Sequence, residues 1–356
     1  MSWLSERKIP YQIAGETKLG LPILMIYRDG RGRPVIITAG AHATEPSGVS
    51  AALHILENWN YSFPLYMFPL RDPLGCQSYA TCLSHAIYKP IAFDGYDELN
   101  ELLLQYADKV YIQNDGFLLV GINGLLFTNI RYRAEDAGPR QNERYINKFL
   151  ADHPALLPEF IGRRVICPAN MPDRSETVRC YERAFTAEIS NAGVFSDMNR
   201  RFGSNEEPPE VEILRKTVDR VVPGLVLDLH EGFADSYYFF TSNYSGSEET
   251  RLYLELMSAA CAQEFPKGPW RLSNLLTAMP ELKSQYKEPK PGIIETTDGH
   301  YGGGASKIVG TNFSAYCSRY CPATTIESGI DNTFKRRVQV HLLCAKAALD
   351  HYENNV

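Results

Sequence analysis

Val35-Ile36-Ile37-Thr38-Ala39-Gly40-Ala41-His42-Ala43-Thr44-Glu45-Pro46 joins a β-branched apolar run to a turn that carries one imidazole and one carboxylate. Val and Ile are stiff at χ1 and favour extended backbone, so residues 35–39 read as a strand, and their unbroken apolar character suggests cover on both faces. Gly40 and Pro46 bracket the polar residues and mark a strand-to-helix turn, with a helix expected from Ser47 to Trp59.

A second run, Leu225-Val226-Leu227-Asp228-Leu229, ends in His230. His42, Glu45 and His230 together make two imidazoles and one carboxylate, each delivered at the end of a strand. That is the ligand set of a catalytic Zn²⁺, which takes three protein ligands and keeps a fourth position open. An open Zn²⁺ lowers the pKa of bound water to about 7 and polarises a carbonyl, so the expected chemistry is hydrolysis. Such hydrolysis needs a carboxylate base, and Glu327 stands at the end of another strand-like segment, Ala323-Thr324-Thr325-Ile326-Glu327. Spacing alone decides little, because His54 and Glu57 repeat it inside an amphipathic helix. There they read as a half-buried histidine and a solvated glutamate.

Working outward, strand-like segments alternate with helix-like ones. Residues 23–27, 35–39, 65–69, 224–230, 237–241 and 324–327 read as strands, and 47–59, 209–221, 249–264 and 333–351 as helices. The expected fold is α/β, a three-layer αβα sandwich on a mixed, largely parallel sheet, forming a single catalytic domain over residues 1–356. All candidate site residues fall at strand ends or in the loops beyond them, where such sheets bind ligands. Residues 76–171 depart from this alternation and read as an inserted, mainly helical subdomain, with helices at 97–106 and 141–149. It is expected to roof the cleft or to form an oligomer contact.

The composition of the 356 residues, 44% hydrophobic and 22% charged with a net charge of −6, suits an enzyme with a large core and argues against nucleic-acid binding. The polar start, Met1-Ser2-Trp3-Leu4-Ser5-Glu6, lacks the apolar stretch of a signal peptide, and the run from Gly116 to Phe127 is too short to span a bilayer. A cytoplasmic protein with no membrane or nucleic-acid partner is expected. The eight cysteines, Cys76, Cys82, Cys167, Cys180, Cys261, Cys317, Cys321 and Cys344, show no Cys-x-x-Cys pair and read as free, mostly buried thiols.

His42-x-x-Glu45, Asp197-Met198-Asn199-Arg200-Arg201-Phe202, Asp228-Leu229-His230 and Thr325-Ile326-Glu327 occur in the order found in the zinc carboxypeptidase superfamily, which includes the aspartoacylase and succinylglutamate desuccinylase branch. The chain resembles that superfamily over about two-thirds of its length. The resemblance implies one Zn²⁺ per chain held by His42, Glu45 and His230, with Glu327 as general base and later proton donor. It also makes Asn199 and Arg200 the clamp for a substrate carboxylate, in keeping with the planar fork of a guanidinium. An oxyanion-stabilising arginine is implied shortly before that pair. Arg183 is the first choice and Arg179 the second, although Arg174, Arg179 and Arg183 read equally well as a solvated helix face among Glu176 and Glu182. Tyr301, in the glycine-rich Gly299-His300-Tyr301-Gly302-Gly303-Gly304, is the candidate for the tyrosine that closes over substrate, and Asn312 for a residue lining the side-chain pocket.

The branch stays open. Only 29 residues follow Glu327, which favours the carboxypeptidase architecture, whereas Glu327-Ser328-Gly329 is similar to the Glu-x-Gly of the deacylases. The expected activity is zinc-dependent hydrolysis of the amide next to a free carboxylate in a small peptide or peptide-like metabolite, with N-acyl amino acid deacylation as the alternative. A catalytically silent carboxylate-binding protein is the alternative of another class, and the presence of every expected ligand beside Glu327 stands against it.

Overall fold

Strand β3 (Val35–Ala39) is buried along its whole length, as are β11 (Leu225–Gly232) and β15 (Ala323–Gly329) beside it. The computed structural model describes residues 2–42, 44–131, 141–168, 183–232, 234–278, 283–296 and 310–355. These three strands run parallel at the centre of a mixed sheet. Outside them on one side lie β4 (Leu65–Phe68), β2 (Pro22–Arg28) and β1 (Gln12–Glu16), and on the other β12 (Tyr237–Thr241), β14 (Ile293–Thr296) and β13 (Tyr286–Lys290). Among the described residues this gives nine strands in the order β1-β2-β4-β3-β11-β15-β12-β14-β13.

Side chains alternate along a strand, so each central strand serves two cores. Val35, Ile37, Leu227, Leu229 and Ile326 pack with α2 (Pro46–Glu57), α8 (Glu248–Glu264) and α11 (Phe334–Glu353). Ile36, Val226 and Ala323 face the other way, against α7 (Pro209–Val221) and α10 (Phe313–Cys317). On this second face the apolar residues give way, toward the C-terminal strand ends, to Thr38, Asp228, His230, Thr325 and Glu327, all buried. One face of three strands thus changes from core to chemistry along its length.

The approach of α2 is close. A Cβ on Gly48 would lie 2.8 Å from the Leu229 carbonyl oxygen, so a larger residue would push the helix off β11. At the exit of β3, Gly40 has φ 64°, the left-handed conformation that turns the chain toward His42.

The stretch set apart by the sequence carries its two expected helices, α4 (Tyr96–Tyr106) and α5 (Gln141–Asp152), together with α3 (Tyr79–Ile87) and the short α6 (Leu157–Phe160). It also carries strands that were not expected. β5 (Lys109–Gln113), β6 (Phe117–Ile122), β7 (Leu125–Ile130) and β8 (Arg164–Pro168) combine with β9 (Ala184–Ile189) and β10 (Phe195–Asp197) in a six-stranded sheet, order β10-β9-β8-β7-β6-β5. β8 and β9, which stand on either side of the expected boundary in sequence, pair antiparallel in this sheet. The apolar run 116–127 folds back on itself at Asn123-Gly124, both with positive φ, the signature of a two-residue hairpin turn. Helices α3 and α4 cover one face of this sheet, and α5 covers the other. An ionic group fastens it to the larger sheet: buried Arg164 faces Asp72 at 3.4 Å and Glu188 at 3.6 Å and donates to Glu210 of α7. Among the described residues no helix is long and apolar enough to cross a membrane.

Candidate metal centre

The two imidazoles meet across one carboxylate. Glu45 Oε1 lies 2.7 Å from His42 Nδ1, and Glu45 Oε2 lies 2.8 Å from His230 Nδ1. The imidazole ring centroids are 5.0 Å apart. One ligand atom from each of the three residues lies within 4.8 Å of the other two, close enough to hold a metal ion.

The outer nitrogens point away, each toward a further carboxylate. His230 Nε2 donates to Asp228 Oδ2 at 2.9 Å, and His42 Nε2 lies 3.4 Å from Asp197 Oδ1. A histidine whose second nitrogen is held by a carboxylate is fixed in ring orientation and made a better donor to a metal. Asp228 is itself fixed, accepting from Thr38 Oγ1 at 2.6 Å and from Arg71 Nη1 at 2.8 and 2.9 Å. Arg71 Nη2 donates to Asn199 Oδ1 at 2.9 Å, and its guanidinium lies over the rings of Phe202 and Phe313 at 5.2 and 4.9 Å.

Three buried carboxylates around two imidazoles leave the pocket short of positive charge. Burial alone lowers the His42 pKa, but Glu45 and Asp197 outweigh it and hold it at about 9. His230 is likewise raised well above its ordinary value by Asp228 and Glu45, against its burial. Glu45 drops to about 2, because the two imidazoles more than offset the cost of burying its charge. The pocket thus gathers protons where a cation fits. Glu45 Oε2 and Asp197 Oδ1 are both buried, the first facing His230 Nδ1 at 2.8 Å and the second facing His42 Nε2 at 3.4 Å.

Glu327 is the register partner of His230 on the adjacent parallel strand, so the two side chains leave the sheet on one face. Burial raises its pKa to about 8, with Glu45 and Asp228 adding to the rise and the imidazoles opposing it.

The remaining candidates fall as follows. Arg183 Nη1 donates to the Thr44 carbonyl at 3.2 Å, beside the His42–Glu45 turn. Arg200, in a 3-10 turn that follows β10, lies 3.8 Å from Asp197 and donates to its neighbour's carbonyl, Asn199 O, at 3.2 Å. Asn199 is buried, its oxygen accepting from Arg71 and from Phe313 N, and its Nδ2 stands 3.5 Å from His230 Nε2. Asn312 caps α10, its oxygen accepting from Ala315 N at 2.6 Å. Arg174, Arg179 and Tyr301 lie outside the described residues.

The sequence reading took no account of Asp228, Arg71, Asp197 and Thr38 as supports. Parity could have found two of them, since Asp228 shares a strand face with His230, and Thr38 pairs with Asp228 across β3 and β11. Arg71 had only its place after β4 to mark it.

Neither the family models nor the curated proteins compared with the chain match it. Among solved structures it is similar to bovine thrombin-activatable fibrinolysis inhibitor in complex with tick carboxypeptidase inhibitor, at 12% identity over 100% of this chain and 96% of that one, with a TM-score of 0.49. It is also similar to a metallo-carboxypeptidase from Burkholderia cenocepacia, at 12% identity over 100% of this chain and 68% of that one, with a TM-score of 0.48.

Proposed function

We propose that the chain is a zinc-dependent amide hydrolase of carboxypeptidase type, which cleaves the amide next to a free carboxylate in a small peptide or peptide-like metabolite. The observation that carries this reading is the convergence of His42 and Glu45, from the turn after β3, on His230 of β11, with Glu327 paired beside His230 on the neighbouring strand. The two nitrogens and one carboxylate oxygen suit one Zn²⁺ per chain. When bound, that ion would polarise the substrate carbonyl, activate water and, by its charge, oppose the burial that keeps Glu327 protonated.

In this reading Glu327 takes a proton from water as the water oxygen attacks the carbonyl carbon. It then passes the proton to the amine nitrogen as the C–N bond breaks, leaving a carboxylate and an amine. Arg183 donates to the oxyanion that develops on the carbonyl. Arg200 grips the substrate carboxylate, and Asn199 assists through Nδ2, since its oxygen is already engaged. Tyr301 closes over the bound substrate. Asn312 keeps a place at the pocket wall, with its oxygen committed to capping α10. The nine strands with helices on both faces are read as the αβα sandwich, and the six-stranded unit as the insertion within a single catalytic domain.

A substrate panel tests the reading. Purified chain loaded with one Zn²⁺, assayed on blocked dipeptides with varied C-terminal residues and on N-acyl amino acids, is expected to release the C-terminal residue from the first set. Turnover confined to the second set would move the assignment to the deacylases. Failure on both, at full metal occupancy, would overturn it.

A further inference from the structure

Behind the metal centre, on the opposite face of the sheet, lies a second set of polar side chains that the hydrolysis does not use. Ser47, Glu231, Ser328, Arg337 and His341 are all buried. Glu231 Oε1 accepts from Ser47 N at 2.6 Å, and Glu231 Oε2 from Arg337 Nη1 at 2.5 Å. The Ser47 and Ser328 hydroxyls are 3.2 Å apart, and Ser328 Oγ lies 3.1 Å from His341 Nε2.

Their places in the sequence give this set its meaning. Ser47 follows Glu45 by two residues, Glu231 follows His230 by one and Ser328 follows Glu327 by one. On a strand, consecutive side chains point to opposite faces, so any shift of Glu231 or Ser328 is transmitted to His230 or Glu327. Glu231 also supplies what the α2 N-terminus lacks. Glu45 makes no side-chain capping bond there, and the Glu231 carboxylate accepts one of the first-turn N–H groups instead. Arg337 and His341, one turn apart on α11, close the set from outside the sheet.

We propose that Ser47, Glu231, Ser328, Arg337 and His341 are positioning residues that hold the segments bearing Glu45, His230 and Glu327 in mutual register, so that α11, which carries none of the site's chemistry, sets the metal geometry. The inference rests on the metal-site reading above. A shift of a few tenths of an ångström is enough, because metal affinity depends on ligand placement as well as ligand identity.

The test measures Zn²⁺ affinity by competition with a chelator, the visible absorption of the Co²⁺-loaded chain, and the Tm of the metal-free chain. The variants are Ser47→Ala with Ser328→Ala, His341→Asn, Ser328→Thr as the conservative replacement, and Val340→Ala as a control that alters the buried face of α11 without touching the polar set. The double alanine variant and His341→Asn are expected to weaken Zn²⁺ binding about tenfold or more and to shift the Co²⁺ bands. Ser328→Thr is expected to keep both near the parent. Val340→Ala should lower the Tm with little change in affinity. Affinity and spectra that do not change, or that fall only in proportion to Tm across all variants including Val340→Ala, would overturn the positioning role. A parent chain that binds neither ion would instead overturn the metal-site reading.

Discussion

His230 and Glu327 are paired residues on parallel neighbouring strands, and both strand ends are buried. A candidate ligand and a candidate base are thereby fixed at the inter-strand spacing, about 4.8 Å between backbones, before any substrate arrives. Replacing Glu327 by Gln keeps the shape and removes the proton acceptor. Its expected effect is a fall in kcat of about 10²- to 10⁴-fold with one metal retained per chain, read by steady-state kinetics beside elemental analysis. Unchanged turnover would remove Glu327 from the mechanism.

Metal binding should depend on pH with a definite sign. In the metal-free chain the His42 pKa is about 9 and that of His230 is also raised, so both imidazoles carry protons at neutral pH that a cation must displace. Apparent Zn²⁺ affinity is expected to rise as pH increases toward about 9, with protons released on binding. Calorimetry in buffers of different ionisation enthalpy counts them.

The same groups shape stability. The His42 pKa is raised above its ordinary value of 6.5, so its contribution is fully present below that pH and is lost as pH rises through about 9. His341 works in the opposite direction. Burial first, then the neighbouring positive groups His230 and Arg337, lower its pKa to about 3, so stability is lost as pH falls below 6.5. Each group contributes a slope of about 1.4 kcal/mol per pH unit within its own window. Glu327, raised to about 8, adds to the alkaline loss and opposes the His341 slope above about pH 4.5. In denaturant titrations of the metal-free chain the clearest signal is therefore expected to be the difference made by His341→Leu, which should remove the loss on acidification below pH 6.5.

The Arg71–Asp228 pair is buried and bonded on every side, so Arg71→Met strands a carboxylate behind His230. The expected cost is about 3–5 kcal/mol of stability, together with a 10- to 100-fold loss of metal affinity. Chemical denaturation and chelator competition measure the two separately.

Much of the larger sheet was legible because its central strands are continuous apolar runs and its helices are long and periodic. Residues 35–39, 237–241 and 209–221 fall where the pattern put them. The smaller sheet was not legible, since the Asn123-Gly124 hairpin turn divides one apolar run into two strands and β9 and β10 lie beyond an expected boundary. At the site, the His42, Glu45 and His230 cluster could be read from residue type and strand-end position. Arg71 and Ser47 could not, because the contact of Arg71 with Asp228, or of Ser47 with Ser328, joins residues far apart in the chain and leaves no local trace.

The whole of the smaller sheet lies, in sequence, between His42 and His230. A nascent chain that has emerged only as far as α2 holds two of the three candidate donors and cannot yet complete the site. A metal held by all three would therefore load late in the life of the molecule, after the long excursion has closed and β3 has met β11.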